Sequence, residues 1–215
     1  MHLDHYLIRA KRYYQKRGLI ETLRHAILVV IRNCFQKEFI LFTAELPQLG
    51  GREIVVPEGI VIVCRKKESE ISEPEYEALL ANGGKSIVAK QIKERFSKGA
   101  QIWLMKQEGY LVGFVWSIGE KPVKPYFFPL TASDVHLFDN EIFSDYRGKG
   151  SNPILIDYVL RELQKKGFLR AYIETAAWNK TEVQSLTKTA FQRLAVARRF
   201  SFFGKQIAVW SEKIG

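Results

Sequence analysis

The chain is poor in residues that staple or anchor small proteins. It holds two cysteines in 215 residues, Cys34 and Cys64. Both sit in apolar surroundings and neither belongs to a CxxC or Cys/His spacing. That argues against a disulfide framework or a structural zinc site, and accords with free thiols in a reducing cytoplasm. Long apolar runs are missing too. The longest, AILVVI at residues 26–31, is far too short to span a bilayer. The opening MHLDHYLIRAKRYYQKRG lacks an apolar core before a cleavage site, so no secretory signal is expected. Low-complexity stretches and internal repeats are absent. At this length folding buries roughly 70% of the unfolded surface, enough for one substantial core with no staple.

Negative charge is scarce. Thirty-three Lys and Arg face 23 Asp and Glu, a net charge of +10 with pI near 9.6. Arg9, Lys11, Arg12, Lys16, Arg17, Arg24 and Arg32 crowd the N-terminus beside only Asp4 and Glu21. A second cluster holds Arg193, Arg198, Arg199 and Lys205. Nucleic acid, an anionic membrane surface and an anionic ligand all suit such a balance. No nucleic-acid recognition motif accompanies it, so no nucleic acid is expected as a partner.

Residues 6–35 read as one or two amphipathic helices, with Leu19, Leu23, Ile27 and Val30 on one stripe and a break at Gly18. Such a segment packs on the domain or makes peripheral contact with anionic lipid. Residues 38–44, EFILFTA, read as a strand, and a Pro/Gly-rich loop comes next. A first region, 1–50, is therefore expected as an extension plus a strand, and 51–215 as the main domain. In the latter, GIVIVC (59–64) is a buried strand. Ser72 followed by Glu75 marks a helix start, and a second helix covers 86–97. QIWLMKQEGYLVGFVWSIG is a hairpin turning at Glu108-Gly109. VHLFDNEIF (135–143) is a strand, PILIDYVLRELQKKG a helix closed by Gly167, LRAYIET a strand, TEVQSLTKTAF a helix, and the rest a pair of strands. The order gives a mixed α/β sheet with helices packed against it.

Between the strand and its helix lies IFSDYRGKGSNPI, residues 142–154. A glycine loop there aims free backbone N–H groups from a positive helix end, a geometry that binds phosphate. Gly148 and Gly150 clear space, Arg147 and Lys149 add charge, and Pro153 costs no helix hydrogen bond. The loop is neither GxxxxGK[ST] nor GxGxxG, so P-loop and Rossmann readings fail. Alone, RGKG equally fits a plain turn.

The succession of hairpin, strand, YRGKG, helix, strand, Asn179 and helix resembles the GNAT (GCN5-related N-acetyltransferase) superfamily over roughly residues 58–210. Its Arg/Gln-x-x-Gly-x-Gly/Ala signature matches Arg147 to Asn152, with Asn152 in the last small position. Ala190 stands where glycine is usual before Phe191. The resemblance implies a GNAT-like, mostly antiparallel central sheet flanked by helices, with an N-terminal helical extension. It also implies acetyl-CoA, or another acyl-CoA, as cofactor. Lys149, Gly150, Ser151 and Asn152 would hold the pyrophosphate through N–H groups, with Gly148 and Arg147 beside it. Ile142 and Phe143 would pair with the pantetheine arm where the strand splays from Tyr172, Ile173 and Glu174. Asn179 would contact the arm beyond. Read as residues alone, Asn179 equally caps a helix and Arg147 equally pairs with Asp145.

The implied reaction is acyl transfer to a primary amine, which needs a base, donors to the thioester carbonyl and proximity. Many relatives place a tyrosine acid seven residues after the Asn; here that position is Leu186. Base candidates are Asp139, then Glu141, then His136, each also readable as a satisfied polar group in a wet cleft. Alternation expects Asp139 and Glu141 on one face and His136 on the other. Trp116, Tyr126 and Trp178 are candidates for an acceptor pocket. The chain is similar to the subgroup tied to bacterial surface-polysaccharide assembly, which implies an amino-sugar or other small or lipid-linked amine acceptor. It also implies a cytoplasmic site near the inner membrane face, and a homodimer is compatible with it. A peptide N-acetyltransferase and a non-catalytic acyl-CoA binder are the competing readings.

Overall fold

The computed structural model describes residues 38–50, 55–83, 85–123, 126–202 and 205–213, with 14, 18–24, 26 and 27 of the N-terminal segment. Most of the helical stretch expected over 6–35, with Cys34, lies outside the described residues. Residues 18–24, 26 and 27 are helical, and Leu19, Ile20, Leu23 and Ile27 stand exposed. No helix among the described residues is long and apolar enough to cross a membrane.

Among the described residues from 38 to 213, eight strands and four α-helices make a three-layer domain. In chain order they are β1 (Glu38–Glu45), β2 (Ile60–Arg65), α1 (Glu73–Gly83), α2 (Lys85–Ser97), β3 (Gln101–Gln107) and β4 (Tyr110–Ile118). Then come β5 (Asp134–Ile142), α3 (Ser151–Lys165), β6 (Arg170–Ala176), α4 (Lys180–Leu186), β7 (Gln192–Phe202) and β8 (Lys205–Lys213). The single sheet runs β2-β3-β4-β5-β6-β1-β7-β8. Every adjacent pair is antiparallel except β5 and β6. This is the mixed, mostly antiparallel sheet flanked by helices that the sequence led us to expect.

Central strands need apolar residues on both faces, because both are covered. In β3, Ile102, Trp103, Leu104 and Met105 are all buried in succession, and in β1 Ile40, Leu41 and Phe42 are. α3 lays Leu155, Ile156, Val159, Leu160 and Leu163 on one face, against Phe42, Met105, Val135, Leu137 and Ile142. The opposite face takes Leu79 of α1 and Ile92 of α2 against Ile102, Leu104 and Trp116. Further along that face, Tyr126, Phe127 and Leu130 of the β4–β5 connection cover Leu41, Tyr172 and Ala197. β1, expected within an N-terminal extension, pairs with β6 on one side and β7 on the other.

The hairpin turn falls at Glu108-Gly109, both residues having positive φ (51° and 83°), as a two-residue turn between twisted strands requires. Glu75 reaches back to the Ser72 N–H at 2.8 Å, the expected start of α1. The same carboxylate is buried at 2% exposure and accepts from Arg65 of β2 and Lys106 of β3. Burial pushes this carboxyl up, and the bonds from Lys106, the Ser72 N–H and Arg65 together outweigh it and hold its pKa down to about 2.

Candidate functional site

β5 and β6 run together for only three rungs, Asp134–Arg170, Val135–Ala171 and His136–Tyr172. Beyond His136 the strands part, and the sheet opens a gap at its centre. A cleft of about 850 Å³ lies against this opening, lined by residues of α1, α2, β4 and β5 at one end and by the glycine loop, α3 and α4 at the other.

Gly148 and Gly150 take φ of 81° and 77°, a left-handed backbone that costs other residues roughly 1–2 kcal/mol. Open space lies where a Cβ would stand at either. Gly150 is the N-cap of α3. Among the described residues no acceptor takes the N–H groups of residues 148–152. These donors therefore face the cleft and solvent at the positive end of a 15-residue helix. The Lys149 ammonium lies 5.6 Å over the Tyr146 ring.

Arg147 does not pair with Asp145. Its Nε donates to the Ile142 carbonyl at 2.7 Å and its guanidinium reaches Glu141 at 3.3 Å. The Phe143 N–H donates to Val112 within the sheet, so that donor is already used. Asn179 caps α4, its side chain accepting from the Glu182 N–H at 3.4 Å, and it also lines the cleft.

The alternation expected along β5 does not hold. Phe114 pairs with Glu141 and Trp116 with Phe138, so three steps on β5 oppose two on β4. The extra residue is accommodated at Asp139, whose φ is 46°. This bulge inverts the facing of the residues beyond it. Ile142 joins Val135 and Leu137 on the α3 side, and Glu141 no longer shares a face with Leu137. Asp139 is paired with Arg95 of α2, whose guanidinium lies 5.0 Å over Trp116 and 5.5 Å over Phe138. An Asp-Asn pair inside a strand was the available signal, since these residues tolerate positive φ best after glycine.

His136 lies apart from Asp139 and Glu141, at the last paired rung. Its Nε2 is 2.8 Å from Glu174 Oε2 on β6, and Arg199 of β7 stands 3.7 Å from the other oxygen of that carboxylate. Of the three aromatic candidates, Trp116 lines the cleft. Tyr126 packs on the His136 ring (4.7 Å between centroids), and Trp178 is partly exposed.

Sequence reasoning missed a polar group between β5 and α4. Asn140 Nδ2 donates to Glu182 Oε1 at 2.8 Å, and Asn152 Nδ2 to Ser185 Oγ at 2.8 Å. The side-chain oxygens of both asparagines are buried and have no partner. Burial raises the Glu182 carboxyl above its ordinary value, opposed by hydrogen bonds from Asn140 and Asn152. Unsatisfied N–H groups at one end and orphaned amide oxygens along the wall suit a ligand with anionic oxygens at its head and amide N–H groups along its length.

The acetyltransferase (GNAT) family model matches residues 67–191, more than half of the chain. The chain belongs to the GNAT acetyltransferase family. The match runs from just after β2, through the glycine loop, to Phe191. No curated protein matches the chain. Among solved structures, the GCN5-related N-acetyltransferase of Sphaerobacter thermophilus is 14% identical, with a TM-score of 0.56 over 89% of this chain and 57% of that one. A GNAT acetyltransferase of Colwellia psychrerythraea is 11% identical, with a TM-score of 0.55 over 82% and 56%. A tandem GNAT protein of the clavulanic acid biosynthesis pathway is 14% identical, with a TM-score of 0.52 over 82% and 52%. At these identities the likeness is one of fold, and the chain spans a little over half the length of each of the three. The splayed pair β5 and β6 and the glycine loop at the head of α3 all fall within the matched residues.

Proposed function

We propose that this GNAT-family chain moves an acetyl or other short acyl group from acyl-CoA to a primary amine. One observation carries the reading: the unsatisfied N–H groups of residues 148–152 open onto the cleft at the splay of β5 and β6. Pyrophosphate oxygens would accept from Lys149, Gly150, Ser151 and Asn152, with Arg147 turning outward from Ile142 to join them. The Ile142 carbonyl and the orphaned oxygens of Asn140 and Asn152 would accept from the pantetheine amides, beside Asn179. When bound, acyl-CoA supplies the thioester carbonyl that an amine attacks. The chain orients the two partners, keeps water from the splay and takes up the proton of the incoming ammonium.

The acceptor in this proposal is a small or lipid-linked amine. A cleft of about 850 Å³ is within the range of small-molecule sites. Arg95, Arg147 and Lys188 share the lining with Asp139, Glu141 and Glu182, so the wall offers both signs of charge to a polar acceptor such as an amino sugar. The exposed Leu19, Ile20, Leu23 and Ile27 keep membrane contact or self-association of residues 6–35 within the proposal.

Thermal melting with acetyl-CoA or free CoA tests the cofactor. A hundredfold excess over Kd contributes about 2.7 kcal/mol, which raises Tm by roughly 5–10 °C at this size. No shift with either compound refutes the reading. If the shift appears, thiol release with amino-sugar nucleotides exceeding that with peptides supports the small acceptor, and the reverse order refutes it.

A further inference from the structure

Two buried polar atoms beside the splay lack any partner, His136 Nδ1 and Tyr126 Oη. They belong to rings 4.7 Å apart in one aromatic shell, completed by Phe138 at 5.4 Å from His136. An unpaired buried polar atom costs about 1–3 kcal/mol, so two side by side require an explanation. The other imidazole nitrogen is engaged. Glu174 is a carboxylate and can only accept, so the shared proton sits on His136 Nε2, and the lone pair is left on the unpartnered Nδ1. Arg199 stands 3.7 Å from the other oxygen of Glu174. Its guanidinium is stacked 4.0 Å over Phe127, so it is fixed in place.

We propose that His136 is the catalytic base of this site, that Glu174 is its positioning residue, and that Tyr126 Oη and His136 Nδ1 together receive the acceptor nitrogen. The inference rests on the acyl-transfer reading above. His136 is on the last rung before β5 and β6 part, and Phe138 connects it to Trp116 on the cleft wall. Of the rival carboxylates, Asp139 is committed to Arg95, and Glu141 faces Arg147 at the glycine-loop end of the cleft. An amine hydrogen-bonded at Nδ1 or Oη displaces no partner already held there. His136 Nδ1 takes one proton from the acceptor ammonium and passes it to solvent after the reaction. The freed nitrogen pair forms the N–C bond as the C–S bond breaks. The sulfur keeps that bond's electrons and takes the second nitrogen proton.

The groups facing His136 are Glu174 and Tyr172 of β6, Tyr126 of the β4–β5 connection and, through Glu174, Arg199 of β7. Arg95 and Asp139 stand beyond the Phe138 ring. Replacing the carboxylate weakens the acceptor that holds the proton on Nε2, so in Glu174→Gln the neutral ring is no longer fixed in one tautomer.

Two experiments test the proposal. In the full-length wild type without ligand, long-range proton–nitrogen correlation on 15N-histidine, assigned with His136→Gln, is expected to show the proton on Nε2. A proton on Nδ1 overturns the dyad. With acetyl-CoA and a panel of amino-sugar nucleotides and simple primary amines, His136→Gln is expected to lose about 100-fold or more in kcat. Its KM for acetyl-CoA stays the same, and Glu174→Gln loses the fixed Nε2–H tautomer in the same correlation spectrum while kcat falls. Activity within threefold of wild type in His136→Gln, or a loss of about 100-fold in kcat in Asp139→Asn instead, overturns it. A Tm rise with acetyl-CoA in His136→Gln equal to that of wild type shows that the variant folds. Absent stabilisation of the wild type counts against acyl-CoA binding itself and leaves the tautomer to judge the dyad.

Discussion

Glu75→Gln removes one charge from the place where α1 meets two strands. The carboxylate is 2% exposed and takes Lys106 at 2.6 Å, Arg65 at 3.0 Å and the Ser72 N–H at 2.8 Å. Its ordinary pKa of 4.5 is held down to about 2. At 1.36 kcal/mol per pH unit that difference is worth at most about 3.4 kcal/mol. Arg65 and Lys106 are each about a quarter exposed, and water there screens the pair, which leaves roughly 2 kcal/mol. Because the folded value is depressed, the contribution is complete above pH 4.5 and is lost as pH falls toward 2. Urea denaturation of wild type and variant is the assay. We expect Glu75→Gln to lose about 2 kcal/mol at pH 7, and the gap to shrink to less than half of that at pH 3. A gap under about 0.5 kcal/mol at pH 7, or one that stays constant down to pH 3, would refute the reasoning.

Glu182→Gln has the opposite pH sense. Its carboxyl is raised by burial, so ionisation costs the fold stability as pH rises; the variant should melt above wild type at pH 8 and level with it near pH 4. Gly150→Ala places a Cβ in open space but forces a left-handed φ of 77°, so it should cost about 1 kcal/mol in urea and reduce the acetyl-CoA-induced Tm rise. Asp139→Val, β-branched at φ 46° and without the Arg95 partner, should cost about 2 kcal/mol, whereas Asp139→Asn keeps most of the stability; equal melting of the two would refute a strained bulge. Removing residues 1–50 should leave no cooperative unfolding transition by circular dichroism, because β1 is taken out of the sheet.

Periodicity and turn chemistry made most elements legible. The apolar runs of β1, β2 and β3, the Glu108-Gly109 turn, the Ser72/Glu75 start of α1 and the glycine loop before α3 each lie where local physics placed them. These are short-range rules, set by side-chain period, turn dihedrals and caps within each segment. What escaped was set at long range. The bulge at Asp139 depends on how β5 registers against β4, and it undid an alternation argument valid only for a regular strand. Glu174 was visible as a strand residue, but its partnership with His136 needs the parallel pairing of β5 with β6. Arg95 gives no signal in its own helix. Its place over Trp116 comes from a contact 44 residues away, with Asp139. Glu182 reads as an ordinary acidic residue in a first helical turn, and only burial beside Asn140 makes it unusual.

The insertion of β1 between β6 and β7 has a consequence for how this protein comes into being. Glu38 pairs with Arg198, 160 residues later, and Phe39 with both Ala176 and Ala197. A ribosome finishes the first of these strands long before it makes the two that flank it. Until then Ile40, Leu41 and Phe42 have no neighbours to cover them. Closure of so wide a loop makes folding slow and leaves the nascent chain open to aggregation. A strand made near the end of synthesis, β7, thus completes the pairing of β1, and a polypeptide interrupted before β7 leaves β1 with one bare edge.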